Sequence, residues 1–380
     1  MNFSKKTIGG LICVILVVIM VASSLASCTG AIIPSEPVND VFAEETESET
    51  TVVVKVLSEG EENGFKYVEY DNGDVVVTEY TGTADKITVP ASLKGKAITK
   101  IGSDIFKRSK AIKEITVSEG IKAIGFRAFG DCTALNKVVL PTSVTSIDNF
   151  AFQNCSSLTD VNIPSSVTKM GSGIFYGCAK IENVTLPESI SKITDFMFYG
   201  CEKLTGVNIP DGVTVIGNHA FADCKALKDV TIPVGVKMIQ GFAFRDTAYL
   251  ADLKKLEDDF VIVGDGVLLA YNGKETKVTV DDGVKFISSA FAKNTTVTEI
   301  TLPEGVEAIG NNAFASCTAL KSIHLPESVT KIGIGAFSSC TAFADMYYSG
   351  SSDKWKEVKI GSDNSAFTSI KDDNKHFGAK

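Results

Sequence analysis

The sequence predicts a β-rich repeat solenoid, because three residue types recur along the chain with a common step of 23 residues. The recurring positions form a proline, a cysteine and a phenylalanine column, which are interrupted at one place and then resume. Before the interruption they contain Pro141, Pro164, Pro187, Pro210 and Pro233; Cys132, Cys155, Cys178, Cys201 and Cys224; and Phe106, Phe129, Phe152, Phe175, Phe198, Phe221 and Phe244. After it they contain Pro303 and Pro326; Cys317 and Cys340; and Phe291, Phe314 and Phe337. One period shared by three columns indicates a single structural coil repeated along an axis.

Each coil is predicted to contain a short strand followed by turns. In the representative coil from Leu158 to Cys178, Val161 and Ile163 alternate with polar residues, which is the pattern of a strand with one buried face. Pro164 ends the strand because it lacks a donor for further pairing. A coil has one apolar stripe that only a neighbouring coil can cover, so the coils must stack. The columns predict about eleven coils.

The motif that the coils share is roughly L-x-x-V-x-I-P-x-x-V-x-x-I-G-x-x-A-F-x-x-C. It resembles the BspA-type leucine-rich repeat, a bacterial variant of the same length, over residues 87–343. The resemblance implies short parallel strands joined by short helical turns. It also implies recognition of a protein or glycan partner at the cell surface, with adhesion to host or neighbouring cells as the expected role.

Both ends of the solenoid are predicted to carry caps, because exposed solenoid ends need a polar cover for solubility. Apolar residues alternate on both sides of Asn72-Gly73 within Phe65–Tyr80, which predicts a β-hairpin and an N-terminal β cap over residues 55–86. The segment Tyr347–Gly350, with Trp355, is similar to the one that ends such arrays. It predicts a small C-terminal cap and tail over residues 344–380.

The interruption predicts one irregular coil near residues 253–280. Phe244 and Phe291 are 47 residues apart, and the coil between them lacks its column residues. In their place, two apolar runs surround Gly-Asp-Gly within Phe260–Tyr271, which predicts a hairpin with a three-residue loop. The hairpin is either a structural variant of the coil or a protrusion that contacts a ligand.

The first residues predict export and membrane attachment. Lys5 and Lys6 precede an apolar run from Ile8 to Leu25, as in a signal peptide. Leu25-Ala26-Ser27-Cys28 resembles the bacterial lipobox, which implies a lipoprotein signal peptide over residues 1–27 and a diacylglycerol on Cys28. The alternative is an uncleaved membrane anchor, since an apolar run of about 18 residues can just span a bilayer. Either way, an extracytoplasmic, surface-exposed body is predicted, with the lipid anchor as its only contact with the membrane.

Residues 28–54 are predicted to be a flexible acidic tether. They hold two prolines and many Ser and Thr, and their like charges repel one another. The acidic residues are Glu36, Asp40, Glu44, Glu45, Glu47 and Glu49. The whole chain has a formal charge of −9, which argues against nucleic acid as a partner because phosphate binding needs clustered Lys and Arg.

The cysteine column has three possible interpretations. A zinc site needs ligands that converge on a point, which one thiol per coil cannot do. Disulfides are allowed by the coil spacing, but stacked side chains point in parallel and five consecutive members cannot all pair. The predicted structure is therefore a ladder of buried free thiols, formed by Cys132, Cys155, Cys178, Cys201, Cys224, Cys317 and Cys340. Other coils place Ser109, Thr247 and Asn294 in this column, all small and able to form hydrogen bonds.

The sequence predicts no catalytic residues, no metal and no cofactor other than the lipid. His219, His324 and His376 share no coil and are not expected to converge. No Gly-Lys-Ser/Thr loop, G-x-S-x-G or H-E-x-x-H motif occurs. A polymer-degrading hydrolase whose carboxylates pair across coils is the weaker alternative.

Two surfaces are candidates for partner binding. On the outward strand face the candidates are Asn162, Thr185, Asn208 and Thr231, which belong either to a recognition surface or to an ordinary solvated sheet. In the turn, Phe150, Phe196 and Phe242 recur every 46 residues, with Tyr176 and Tyr199 nearby. If they face solvent, the three Phe form a row with a spacing of about 10 Å; otherwise they fold inward. The sequence thus favours a surface protein that binds a protein or glycan, with a non-binding envelope spacer as the alternative.

Overall fold

The computed structural model describes residues 54–378, which form a β-solenoid of about 12 turns. The prediction was about eleven. The signal peptide, Cys28 and nearly all of the tether lie outside the described residues. No helix within residues 54–378 is long and apolar enough to cross a bilayer.

One face of the solenoid consists of the first strand of each coil. These strands pair in parallel and in register, so that Val138, for example, lies between Ile115 and Val161. They form sheets of four, three and five strands. The strands are Lys86–Val89, Glu114–Val117, Lys137–Val139 and Asp160–Asn162; Asn183–Thr185, Gly206–Asn208 and Asp229–Thr231; and Lys277–Thr279, Glu299–Thr301, Ser322–Leu325, Asp345–Tyr348 and Lys375–Phe377.

A second face consists of shorter parallel strands. They are Lys100–Ile101, Ala123–Ile124, Ser146–Ile147 and Lys169–Met170; Lys192–Ile193, Val215–Ile216 and Met238–Ile239; and Phe286–Ile287, Ala308–Ile309, Lys331–Ile332 and Lys359–Ile360. Each contributes one buried or half-buried side chain at its second position, such as Ile147 and Ile193. The two faces therefore bury alternate apolar residues against a common interior.

The N-terminal strands are antiparallel to one another. Val56–Glu62, Phe65–Tyr70 and Val75–Tyr80 form a meander, and the third of these strands pairs in parallel with Lys100–Ile101. The turn at Asn72-Gly73 is closed by the Tyr70 amide, which donates to the Asp74 carbonyl oxygen at 2.8 Å. A two-residue hairpin, Ser92–Leu93 with Lys96–Ala97, follows.

The column phenylalanines stack along the axis inside the third side of the coil. Phe129 and Phe152, for example, have ring centroids 5.1 Å apart and an interplanar angle of 6°. All column rings after Phe106 are essentially inaccessible to solvent. Stacked rings of this kind are the main packing element of every regular coil.

The irregular coil divides the interior into two hydrophobic clusters. It contains the helix Ala248–Leu253 and the hairpin Phe260–Val263 with Val267–Tyr271. All five side chains of Val267–Tyr271 are buried, and Leu268 belongs to one cluster while Val267 belongs to the other. The second hairpin strand is thus a partition within the core rather than a protrusion.

The ladders continue beyond residue 343. Lys359–Ile360 extends the second face and Lys375–Phe377 extends the first, with the short helices Ser352–Trp355 and Ser365–Thr368 and the 3-10 helix Asp372–Asn374 between the strands. The ring of Phe367 stacks on Phe337 at 4.4 Å and 12°, so the aromatic column also continues.

Candidate partner-binding surfaces

The turn before nine of the ten column phenylalanines, all except Phe291, contains a residue in the left-handed conformation. Phe150, Phe196 and Phe242 have φ values of 58°, 57° and 58°. This region costs a residue with a Cβ about 1–2 kcal/mol and is a genuine outlier for bulky side chains. Other coils place Asp104, Arg127, Gly173, His219, Asn312 and Gly335 at the same position, also with positive φ. The turn therefore imposes the conformation, and three coils accept Phe in it.

Backbone hydrogen bonds between coils explain why the turn keeps this conformation. Gly173, Phe175 and Gly177 donate their amides to the carbonyl oxygens of Asp195, Met197 and Tyr199 at 2.8, 2.9 and 2.7 Å. Two of these three donating residues, Gly173 and Gly177, have positive φ values of 62° and 70°. This turn ladder is continuous where the sheets of both faces are interrupted, between residues 162 and 183 and between residues 170 and 192.

Seven aromatic rings form a continuous strip along the outside of this turn. We call the set the aromatic strip: Phe126, Phe150, Tyr176, Phe196, Tyr199, His219 and Phe242, all half-buried. Tyr176 contacts both Phe150 and Phe196, with centroids 6.4 and 6.5 Å apart. Tyr176 and Tyr199 stack at 4.7 Å and 8°, and Phe196 and His219 stack at 5.2 Å and 9°.

The arrangement differs from both alternatives raised by the sequence. Phe150, Phe196 and Phe242 are neither folded into the interior nor isolated in a row, because Tyr176, Tyr199 and His219 fill the spaces between them. Sequence reasoning missed Phe126 and His219 as members. His219 occupies the same column as Phe196, which was an available signal.

Side-chain volume explains why Gly173 follows Phe150 in this column. A Cβ atom on Gly173 would lie 2.3 Å from Cε1 of Phe150, so Phe150 occupies the space above that glycine. In the next pair of coils the flat imidazole of His219 lies parallel to Phe196. Phe150 thus lies above a residue without a side chain, whereas Phe196 stacks on a second ring.

Charged side chains lie at both ends of the strip. Arg245 donates to Oδ2 of Asp223 at 2.8 Å and to the Tyr199 hydroxyl at 3.4 Å, and its guanidinium carbon lies 5.9 Å from the Tyr199 ring centre. Burial alone would raise the pKa of Asp223, but hydrogen bonds from Tyr199 and Arg245 outweigh it and lower that pKa. At the other end, Arg127 lies 5.8 Å from the centre of the Phe126 ring.

His219 is neutral at physiological pH. Burial among the rings lowers its pKa to about 4, and the nearby positive charge of Arg245 acts in the same direction. Its Nδ1 atom is buried and has no hydrogen-bond partner in the described part of the chain. The centre of the strip therefore presents an uncharged, aromatic surface.

The predicted polar face is separate from the strip. Asn162, Thr185, Asn208 and Thr231 are all exposed on the first face. Thr185, Asn208 and Thr231 lie side by side in one sheet, whereas Asn162 belongs to the neighbouring sheet. The first face and the turn are different sides of each coil, so the structure does not combine the two candidate surfaces.

The seven column cysteines are all free and buried. Each thiol donates to the carbonyl oxygen of the phenylalanine in the preceding coil, as from Cys132 to Phe106 at 2.9 Å and from Cys178 to Phe152 at 3.1 Å. The acceptor therefore comes from the adjacent coil, and the bond links neighbouring coils. Burial raises the pKa of Cys132 and Cys317 to about 12 and that of Cys340 to about 11.

The three polar residues in the cysteine column stand at the ends of the two stacks of coils. Ser109 and Asn294 begin the stacks and accept local backbone amides, those of Ile112 and Val297. Thr247 ends the first stack, where its hydroxyl caps the helix Ala248–Leu253 by accepting from the Leu250 amide. Cysteine is thus used where a preceding coil supplies a phenylalanine carbonyl, except at the end of the first stack, where the Thr247 hydroxyl donates to the Phe244 carbonyl of its own coil.

The histidines correct one expectation from the sequence. His324 and His376 lie on opposite faces of the Tyr347 ring, at 4.3 and 4.4 Å. They come together because the register aligns His324, Tyr347 and His376 on three neighbouring strands. The imidazoles remain separated by the phenol ring, and within residues 54–378 no group of three His, Cys, Asp or Glu side chains is arranged to hold a metal ion.

Comparison with known proteins identifies the class. The chain matches the family described as BspA type Leucine rich repeat region (6 copies) over residues 81–201, 149–268, 192–289 and 268–372. Because these matches cover well over half of the sequence, the chain belongs to that family. A search of curated proteins found no match.

Two solved bacterial proteins are similar to this chain. A leucine rich cell surface protein from Faecalibacterium prausnitzii is 26% identical, with a TM-score of 0.50, and the match covers 80% of this chain and 98% of that one. A leucine rich repeat protein from T. pallidum is 23% identical, with a TM-score of 0.49, and the match covers 55% and 100% of the two chains.

Proposed function

We propose that this protein is a lipid-anchored binding protein of the bacterial cell surface, whose solenoid attaches to a protein or glycan outside the cell without catalysis. In this proposal Cys28 carries a diacylglycerol, and residues 28–54 hold the solenoid away from the membrane. Membership of the leucine-rich repeat family supports a binding role, and the F. prausnitzii relative, described as a cell surface protein, supports the location.

The aromatic strip is the observation that carries the proposal. Aromatic side chains contribute strongly to interfaces and are enriched at binding hot spots. Three phenylalanines here occupy a left-handed conformation that costs about 1–2 kcal/mol each, although Asn or Gly fits the same turn elsewhere in the chain. Strain retained without a need of the fold is typical of functional sites.

Elsewhere the described surface carries a shorter aromatic stack, formed by His324, Tyr347 and His376 on the first face, and none of these three residues has a positive φ. Its exposed large apolar side chains are scattered: Leu57, Val139, Val234, Leu256, Ile262 and Phe377. Single apolar side chains of this kind are normal on a protein surface. The polar first face, with Asn162, Thr185, Asn208 and Thr231, remains the second candidate surface, and its contribution is tested beside that of the strip.

Binding is tested with cells that display the full chain. They are compared with cells that carry the triple replacement Phe150→Asn, Phe196→Asn and Phe242→Asn, on host cells, bacterial cells and extracellular matrix. We expect the triple variant to lose at least about tenfold in attachment. Val234→Ser is the matched control, because it removes an apolar side chain that is 88% exposed and lies outside the strip. Equal loss in the control, or none in the triple variant, contradicts the assignment of the strip.

Anchoring is tested separately. Cells expressing the full chain are supplied with labelled palmitate, and we expect Cys28→Ala to remove the label and release the protein from the membrane. A label retained by Cys28→Ala argues against lipidation there. If the original chain takes up no label and Cys28→Ala stays in the membrane, the result favours the uncleaved anchor.

A further inference from the structure

We propose that the partner of the aromatic strip is a protein segment that presents the faces of aromatic rings, rather than a glycan or a second copy of this chain. The inference rests on the proposed function above and narrows it to one class of partner. It follows from the orientation of the rings and from the charges at the two ends of the strip.

The central rings present their edges to the outside. Tyr176 and Tyr199 belong to adjacent coils, and their centroid separation of 4.7 Å is close to the coil step of about 4.8 Å. Because their planes differ by only 8°, the ring planes lie across the solenoid axis. The same holds for Phe196 and His219, at 5.2 Å and 9°. Each of these four rings has one face covered by its partner, and its edge points away from the solenoid.

The Tyr199 ring is covered on its second side as well. Ala222 stands in the next coil at the position equivalent to Tyr199 and leaves a gap there. Arg245, from the coil after that, reaches back over the Tyr199 ring and is fixed by Asp223 at 2.8 Å. On their second sides Tyr176, Phe196 and His219 each have a tilted neighbouring ring, at 6.4, 6.5 and 5.6 Å. A flat ligand therefore finds no ring in the middle of the strip whose face is free of a neighbouring side chain.

Ring edges select a different ligand from ring faces. The edge of an aromatic ring carries partial positive charge and the face partial negative charge, so edge-to-face contact is favourable. A sugar binds aromatic residues by placing its apolar C–H groups on a ring face, and here those faces are covered. A second copy of the chain would place edges against edges of the same sign. Ring faces of a partner, and its carbonyl oxygens, are the complementary groups.

The strip already contains the contact that we infer for the partner. Phe126 and Phe150 meet at 89° with centroids 6.3 Å apart, and Phe150 and Tyr176 meet at 66°. Charged pairs flank this surface, Arg127 with Asp131 at one end and Arg245 with Asp223 at the other. An apolar aromatic centre with a polar rim is the usual organisation of a protein–protein interface.

The test compares two sets of probes under one condition. The full chain, purified in detergent and labelled, is applied to a library of short linear peptides and to a panel of neutral and acidic glycans. We expect it to select peptides rich in Trp, Tyr and Phe and to leave the glycans unbound. In the variant Phe196→Asn with Tyr199→Ala, affinity for those peptides should fall about tenfold or more. These two residue types are the ones the chain itself uses at the same turn positions, in Asn312 and Ala315.

Each other outcome overturns the inference. Glycan binding that the variant abolishes leaves the proposed function standing but makes the partner a glycan. Self-association that the variant abolishes makes the partner a second copy. Peptide binding that is unchanged in the variant, or no strip-dependent binding of any probe, rejects the strip as a site for protein. A melting curve checks that the variant is folded, and Phe150→Asn, which leaves the two stacked pairs in place, is the second variant if it is not.

Discussion

The two stacks of coils share one construction and differ in one surface. The stack from Phe106 to Phe244 and the stack from Phe291 to Phe337 both contain buried ring columns and hydrogen-bonded thiols. In the second stack, however, Asn312 and Gly335 take the turn position that Phe150 and Phe196 occupy in the first, with φ values of 59° and 60°. The backbone is the same with and without rings. The aromatic strip is therefore an addition to the coil and not a requirement of its fold.

The largest expected effect concerns the shared construction. Phe175→Ala and Phe314→Ala should each lower the free energy of unfolding by about 3–5 kcal/mol, because each leaves a cavity in a fully buried stack. Urea denaturation of residues 29–380 measures both. An unchanged curve for either variant would place that ring outside the core and would break the equivalence of the two stacks.

The next effect is a pH dependence of stability that originates in the first stack, at His219. The pKa of His219 is about 4 in the folded protein, against 6.5 ordinarily, so below 6.5 the unfolded state binds the proton more readily. Its contribution to stability is complete above pH 6.5 and is lost as the pH falls towards 4, by up to about 3 kcal/mol.

The contribution of His219 is measured as a difference between two stability curves. His219→Asn, which reproduces the residue of Asn312, should flatten the pH dependence of unfolding in this range relative to the original chain. His324→Asn is the control, because that side chain lies on the first face, away from the strip. Parallel curves for His219→Asn and the original chain would show that the imidazole titrates normally.

A smaller effect on the free energy of unfolding is expected when an aromatic ring of the strip is removed. Phe150→Asn should change the free energy of unfolding by no more than about 1 kcal/mol, since relief of a strain of about 1–2 kcal/mol offsets the loss of a half-buried ring. Thermal melting of this variant beside Phe152→Ala, whose ring is fully buried, gives the contrast. A similar loss for both would show that the strip belongs to the core after all.

The smallest perturbation is a chemical one, the labelling of the buried thiols. In native residues 29–380 the seven thiols should react slowly with a thiol reagent, and after denaturation all seven should react. Burial and a raised pKa both keep thiolate scarce, and Cys340, whose pKa of about 11 is raised less than those of Cys132 and Cys317, should react before them. Rapid labelling of several thiols without denaturant would contradict a closed interior.

The regular coils could be predicted from the sequence because each one repeats its markers at a fixed step. The additional coil could not, because Phe367 follows Phe337 after 30 residues instead of 23, yet stacks on it at 4.4 Å. The approach of His324 and His376 depends on the same irregular connection. The sequence predicts the position of the strip residues within the coil. It does not predict the orientation of their rings, because that depends on contacts between side chains of neighbouring coils.

The turn ladder has a direction, which the paired strands of the two faces lack. Its amides all donate towards the following coil, so the peptide dipoles add along the axis as they do in a helix and leave unpaired donors at the last turn. Side-chain oxygens receive these donors: Ser289 Oγ accepts the Phe242 amide where the first stack ends, and Asn364 Oδ1 accepts the Phe337 amide where the second ends. Asn364 is itself buried, and its amide group donates to the carbonyls of Gly333 and Gly361. The last amides of each stack are thus capped by side-chain oxygens, as the first amides of a helix are. Because these donors are already satisfied, no further coil can pair with them, and each stack has a defined end.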